Sequence, residues 1–197
     1  MMDLDNLLQS ANKLFIKKRF NDAILKYKEI LNVDPNNINA INNMGYALSK
    51  SKDYQNAIRC YNIGLKIDPF EKTLLINKIS VLRKMNMLNS ALNNCNTILN
   101  KSPNELIVMY HKLRILKSLK RYDESMKVCD RILRMYPNNT DILFEKASNL
   151  LYLRKNNECL EFLNSLTNMS NEFKIKIRNS KLFEQLQKNE NFVKLLE

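Results

Sequence analysis

Apolar residues at the start of the chain recur at three- and four-residue steps, as in Leu4, Leu7, Leu8, Ala11, Leu14 and Phe15. That spacing puts them on one face of an amphipathic helix. A second apolar series opens at Phe20 and takes in Ala23, Ile24 and Tyr27 before the chain reaches Pro35. The same punctuation returns at Pro69, Pro103 and Pro137, each 34 residues after the last. A helix pair of this length cannot bury its apolar face alone; stacking on the next pair buries it, so stability is shared between neighbours and each end needs a cap. Only two glycines and four prolines occur, which favours long helices joined by short corners and predicts an all-α chain.

Other positions keep the same register. Small residues stand at Ala23, Ala57, Ala91, Ser125 and Cys159, and at Ala11, Gly45 and Ala147. Large apolar or aromatic places are filled by Tyr27, Tyr61, Cys95, Cys129 and Leu163, while Phe20, Tyr54, Leu88 and Tyr122 open the second helix of their pairs. The segments Asn43-Met44-Gly45-Tyr46-Ala47-Leu48, Asp53-Tyr54-Gln55-Asn56-Ala57-Ile58 and Ile67-Asp68-Pro69, with Phe20-Asn21-Asp22-Ala23-Ile24 and Val33-Asp34-Pro35, resemble the tetratricopeptide repeat signature. The resemblance covers about residues 4 to 171. It implies a right-handed α-solenoid superhelix of about five helix-turn-helix repeats, at about 4–37, 38–71, 72–105, 106–139 and 140–171, within an array spanning 1–171. The third and fourth repeats depart from the pattern, with Ile79 and Leu113 where a small first-helix residue belongs, which puts their packing angle in question. The fifth ends at Asn171 in place of proline.

Residues 172–197 contain a short echo, Asn179, Leu182, Phe183 and Leu186 followed by Asn189, Phe192, Val193 and Leu196. This predicts two short helices, each started by an Asn or Ser cap, that cover the exposed end of the fifth repeat. Docking of these C-terminal helices on a second copy of the chain, giving a homo-oligomer, or on a partner's groove is the alternative use.

Composition narrows the function more than the fold. An apolar content of 45% over 197 residues is enough for a substantial core in one or two domains. The opening Met1-Met2-Asp3-Leu4-Asp5 has no basic flank or apolar run of a signal peptide, and no apolar stretch is long enough to span a bilayer, so a cytoplasmic protein with no membrane span is expected. Cys60, Cys95, Cys129 and Cys159 lack any C-x-x-C spacing and read as reduced core thiols, with no metal site. His111 is the single histidine, and neither a nucleophile elbow nor a glycine-rich phosphate loop accompanies it. Asp123-Glu124 reads as a pair complementing a helix dipole. The expectation is a binding protein rather than an enzyme, with no cofactor. A net charge of +12 points to acidic partners, meaning acidic peptides, nucleic acid or anionic membrane. Asparagine is abundant throughout and reads as compositional bias in the coding sequence.

In the family resembled, first helices line a concave face that holds extended peptides or helices. Carried over, the inward places are Asp5, Gln9 and Asn12; Asn39, Asn42, Asn43, Tyr46 and Lys50; Thr73, Asn77, Ser80, Arg83 and Lys84; Tyr110, His111, Arg114 and Lys117; and Asp141, Phe144, Glu145, Ser148 and Tyr152. One register reads Gln9, Asn43, Asn77, His111 and Glu145. Side-chain amides donate and accept at once, so such a ladder can hold a peptide backbone with little regard for its sequence, and it resembles the asparagine ladder of the O-linked sugar transferases. Ordinary solvated polar residues are the alternative reading of that register. Lys50, Arg83, Lys84, Arg114 and Lys117 make the middle of the face basic and suited to carboxylates, while Asp5, Asp141 and Glu145 lie at its ends. The candidate peptide-binding residues are therefore Asn12, Asn43, Tyr46, Lys50, Asn77, Arg83, Lys84, His111, Arg114 and Lys117, for an extended acidic segment of another protein. The carboxylate clamp of the heat-shock co-chaperones is matched at Asn12 and Asn43 but has Leu8, Thr73 and Asn77 in its basic places, which argues against chaperone-tail binding. RNA is the alternative partner, given the high basic charge, although much of that charge, as in Lys17-Lys18-Arg19 and Lys120-Arg121, falls at helix corners, where it is more often a solvated face, rather than along the groove. Against it, RNA-reading helical repeats run at 35 residues, one more than the period here.

Overall fold

The computed structural model describes residues 3–197, and every regular element among them is a helix. Met1 and Met2, part of the N-terminal segment read above for a leader, lie outside the described residues. Ten helices form consecutive pairs: α1 (Leu4–Ile16) with α2 (Phe20–Val33), α3 (Ile38–Lys50) with α4 (Tyr54–Ile67), α5 (Lys72–Lys84) with α6 (Leu88–Lys101), α7 (Leu106–Ser118) with α8 (Tyr122–Met135), and α9 (Thr140–Tyr152) with α10 (Asn156–Met169). They are followed by α11 (Asn171–Asn179), a 3₁₀ turn at Lys181–Leu186 and α12 (Glu190–Leu196).

The helices start and stop for repeating reasons. Asp3, Asn37, Glu71 and Asn139 each accept backbone N–H bonds of a first helix, satisfying donors that the helix itself cannot. Each first helix ends in a residue of left-handed conformation: Lys18 at φ 60°, Lys52 at 66°, Asn86 at 58°, Lys120 at 57° and Arg154 at 59°. In the first pair the Lys18 N–H donates to the Phe15 carbonyl and the Arg19 N–H to the Leu14 carbonyl, the crossed bonds of a Schellman ending. The same two bonds recur at Lys52 and Asp53, at Asn86 and Met87, at Lys120 and Arg121, and at Arg154 and Lys155. This ending turns the chain within three residues and starts the second helix at once.

The chain forms two compact units, Met1–Ile115 and Leu116–Glu197, the boundary falling inside α7. In the first, α1 packs on α2 and α3, α3 on α4 and α5, and α5 on α6, so first helices neighbour first helices. Ala11, Ala23, Tyr27 and Ile30 make the core of the opening pair, together with Ala40 and Ala47 of the next. Gly45 is required where it stands: a Cβ there would lie 2.6 Å from Cε1 of the fully buried Tyr61 ring. One repeat on, the places of Gly45 and Tyr61 are taken by Ile79 and Cys95, both fully buried. The bulk has moved from the second helix to the first, which accounts for the departure at Ile79 without a looser core.

In the second unit α8 packs on α9, and α10 packs on α9, α11 and α12. Ile177, Phe183, Leu186 and Phe192 of the C-terminal segments join Leu143, Ala147, Leu160, Leu163 and Leu166 in one buried cluster. Ser170, Ser180 and Asn189 cap the three short segments through their side chains.

Candidate functional site

The first unit gathers most of the candidate residues on the face made by α1, α3, α5 and the start of α7. Its centre is a chain of amides. Asn77 Nδ2 donates to Asn42 Oδ1 at 2.9 Å, Asn42 Nδ2 to Asn43 Oδ1 at 3.2 Å, and Asn43 Nδ2 to Asn12 Oδ1 at 3.1 Å. The row thus joins three first helices. It runs through Asn42 as well as the 34-residue register, because neighbouring amides on one helix turn bridge the gap between Asn43 and the next repeat.

Beneath the row lies Tyr27, whose hydroxyl donates to Asn12 Oδ1 at 2.6 Å. Its side chain is only 1% exposed, and burial, opposed by the adjacent Asn43 amide, pushes the phenol up to about 12. It is therefore a standing donor. Tyr61, the equivalent residue of the second pair, is buried with no partner for its hydroxyl, since Tyr46 stands where Asn12 stands in the first.

Cations border the row. Lys50 Nζ lies 5.1 Å from the centroid of the Tyr46 ring, which is 39% exposed and packs on Phe15 at 5.2 Å. Lys84 Nζ donates to Ser49 Oγ at 3.2 Å and lies 5.6 Å from the Tyr54 centroid. Arg83 Nη1 is 3.0 Å from His111 Nδ1. A guanidinium can only donate, so Nδ1 accepts and the imidazole carries its proton on Nε2. Burial, reinforced by the charges of Arg83 and Arg114, lowers His111 from 6.5 to about 4, so the ring is neutral at physiological pH. Burial, then the Arg114 charge, also lowers Arg83. The face accordingly presents amides flanked by cations, with His111 serving as an uncharged acceptor.

Lys117 belongs to the second unit, where its ammonium is taken up by Glu145 and donates to Ser148 Oγ at 3.3 Å. A carboxylate one repeat along thus neutralises a cation that the sequence offered as a ligand for acidic groups. Two residues escaped the sequence argument. Asn42 was counted among the inward places but not among the binding residues, and Tyr27 was assigned to the core alone. A tyrosine in place of phenylalanine at a core position was the available signal, since a buried hydroxyl calls for a partner.

Among the described residues no helix is long and apolar enough to cross a membrane, and no three His, Cys, Asp or Glu side chains could together hold a metal ion. All four cysteines are free and buried.

Paired helices repeating at one interval, with a polar face formed by first helices, define an α-helical repeat protein. Residues 26–59 and 107–139 each match a family model described as tetratricopeptide repeat. These two segments of the chain are tetratricopeptide repeats by that match. Solved structures of similar fold include a MamA fragment from Desulfovibrio magneticus, 16% identical with a TM-score of 0.75, covering 91% of this chain and 99% of that one. YrrB, described as a tetratricopeptide repeat protein with an unusual peptide-binding site, is 16% identical with a TM-score of 0.71 and coverage of 90% and 93%. A tetratricopeptide repeat protein from Parabacteroides merdae is 15% identical, with a TM-score of 0.68 and coverage of 98% and 82%. No curated protein sequence matches the chain.

Proposed function

We propose that the protein is an interaction scaffold whose first unit binds an extended, acidic segment of a partner protein across the face of α1, α3 and α5. The amide row carries this reading. A peptide backbone displays one N–H and one C=O per residue, and a row of primary amides keeps spare donors and acceptors after bonding to itself. Lys50, Lys84, Arg83 and Arg114 would attract carboxylates beside the backbone, and the exposed Tyr46 ring supplies an apolar contact of the kind enriched at binding hot spots. Peptide binding in YrrB is compatible with this use of the fold.

The test compares wild type with the triple variant Asn43→Ala, Asn77→Ala, Arg114→Ala, using each as bait for partners from a lysate and against a panel of acidic peptides. Loss of a captured protein and of peptide binding in a variant that still melts cooperatively is the expected result. Undiminished binding by the triple variant would place the interaction on another surface. Nuclease-sensitive RNA recovered equally with both proteins, and lost steeply with salt, would replace the peptide reading by the nucleic-acid one.

A further inference from the structure

We infer that Tyr27 is a positioning residue for peptide binding: its buried hydroxyl holds Asn12 and through it sets the amide row Asn12–Asn43–Asn42–Asn77. Its role in binding rests on the function proposed above; its role in ordering the row does not.

A primary amide at a protein surface rotates freely and exchanges its N–H bonds with water. Asn12 cannot do so, because its Oδ1 accepts from both the Tyr27 hydroxyl and Asn43 Nδ2, at 2.6 and 3.1 Å. Two bonds occupy the two lone pairs of that oxygen. The amide plane is then fixed, with its oxygen held between the Tyr27 hydroxyl and the Asn43 amide. Asn43 has one N–H committed to Asn12 and its oxygen committed to Asn42, and Asn42 in turn accepts from Asn77. Order is passed outward from a single hydroxyl that is itself locked in the core of the first repeat. A row held in one arrangement before the ligand arrives loses less rotamer freedom on binding than four independent asparagines.

Tyr61 supplies the internal control. It occupies the same register on α4, is as deeply buried, and has no hydrogen-bond partner. Removing its hydroxyl deletes a buried orphan, whereas removing that of Tyr27 releases Asn12.

The experiment compares Tyr27→Phe, Tyr61→Phe and wild type by NMR of the asparagine side-chain amides in the free protein, followed by titration of a fluorescein-labelled peptide of alternating glutamate and serine. Dispersed Nδ2 signals for Asn12, Asn42, Asn43 and Asn77 in wild type and Tyr61→Phe, merging towards the free-amide position in Tyr27→Phe, are expected. Peptide affinity should fall about five- to tenfold in Tyr27→Phe and be unchanged in Tyr61→Phe. Because the amide signals are read without peptide, failure of the labelled probe to bind wild type would count against the proposed function while the ordering of the row is still decided. Row signals that are identical in Tyr27→Phe and wild type would overturn the inference, as would equal loss of affinity in both phenylalanine variants. Should Tyr27→Phe not fold, Asn12→Ala removes the linking amide and leaves the hydroxyl in place. The signals of Asn43, Asn42 and Asn77 should then merge in the same way, and their persistence would equally refute the idea.

Discussion

A lysine with positive φ is an uncommon choice, and the chain makes it at Lys18, Lys52 and Lys120, with Arg154 in the same role. The left-handed region crowds a Cβ against the following carbonyl, at about 1 kcal/mol relative to glycine. Only Asn86 uses a residue that tolerates it. Replacing Lys18, Lys52 and Lys120 by glycine one at a time should therefore raise stability by about 0.5 kcal/mol each in urea unfolding. A loss of stability at all three would show that the basic side chains interact with the helix C-termini more strongly than the strain costs. His111 gives the second expectation at this scale. Its folded value of about 4 lies below its ordinary 6.5, so between those limits the unfolded chain binds more proton and stability falls as pH drops from 6.5 to 4. The ring is partly solvated, which leaves a contribution of about 1 kcal/mol, fully present above pH 6.5. As the single histidine, its imidazole resonances follow the titration without ambiguity, and a midpoint near 6.5 would refute the burial and charge argument.

At the scale of helices, the spacing of apolar residues and of the four prolines made the pairs legible, because amphipathic periodicity and backbone-breaking residues act locally. The exchange between Gly45 with Tyr61 and Ile79 with Cys95 was half legible: Ile79 stood out as too large, but its compensation lies 16 residues away on another helix. Gly45→Ala should destabilise the array by about 1–3 kcal/mol, since the Tyr61 ring must move. Copying the next repeat with Gly45→Ile and Tyr61→Cys together should recover most of the loss caused by Gly45→Ile alone, measured as a double-mutant cycle in thermal unfolding. Additive losses would mean that the two residues do not share a volume. The candidate site was legible as a set of polar residues on first helices. What joins them was not, because the bond through Asn42 and the anchor at Tyr27 depend on side-chain directions across four helices, which a register of identical spacing does not record.

Across the whole molecule, Cys60 on α4, Cys95 on α6, Cys129 on α8 and Cys159 on α10 are all buried, and burial first of all pushes their thiols up to about 11, 12, 12 and 12. Neither exposure nor thiolate is available for reaction in the folded chain. A thiol-reactive disulfide dye should leave the native protein unmodified at neutral pH and titrate all four residues in guanidinium chloride, read as absorbance against time. Rapid reaction of any one in native buffer would contradict the core described for its helix. These thiols stand on four different second helices, one to a repeat from the second pair to the fifth. The chain thus carries a numbered seal on each of those repeats, and the order in which the seals break under mild denaturant, read by mass after brief alkylation, tells which part of the array lets go first.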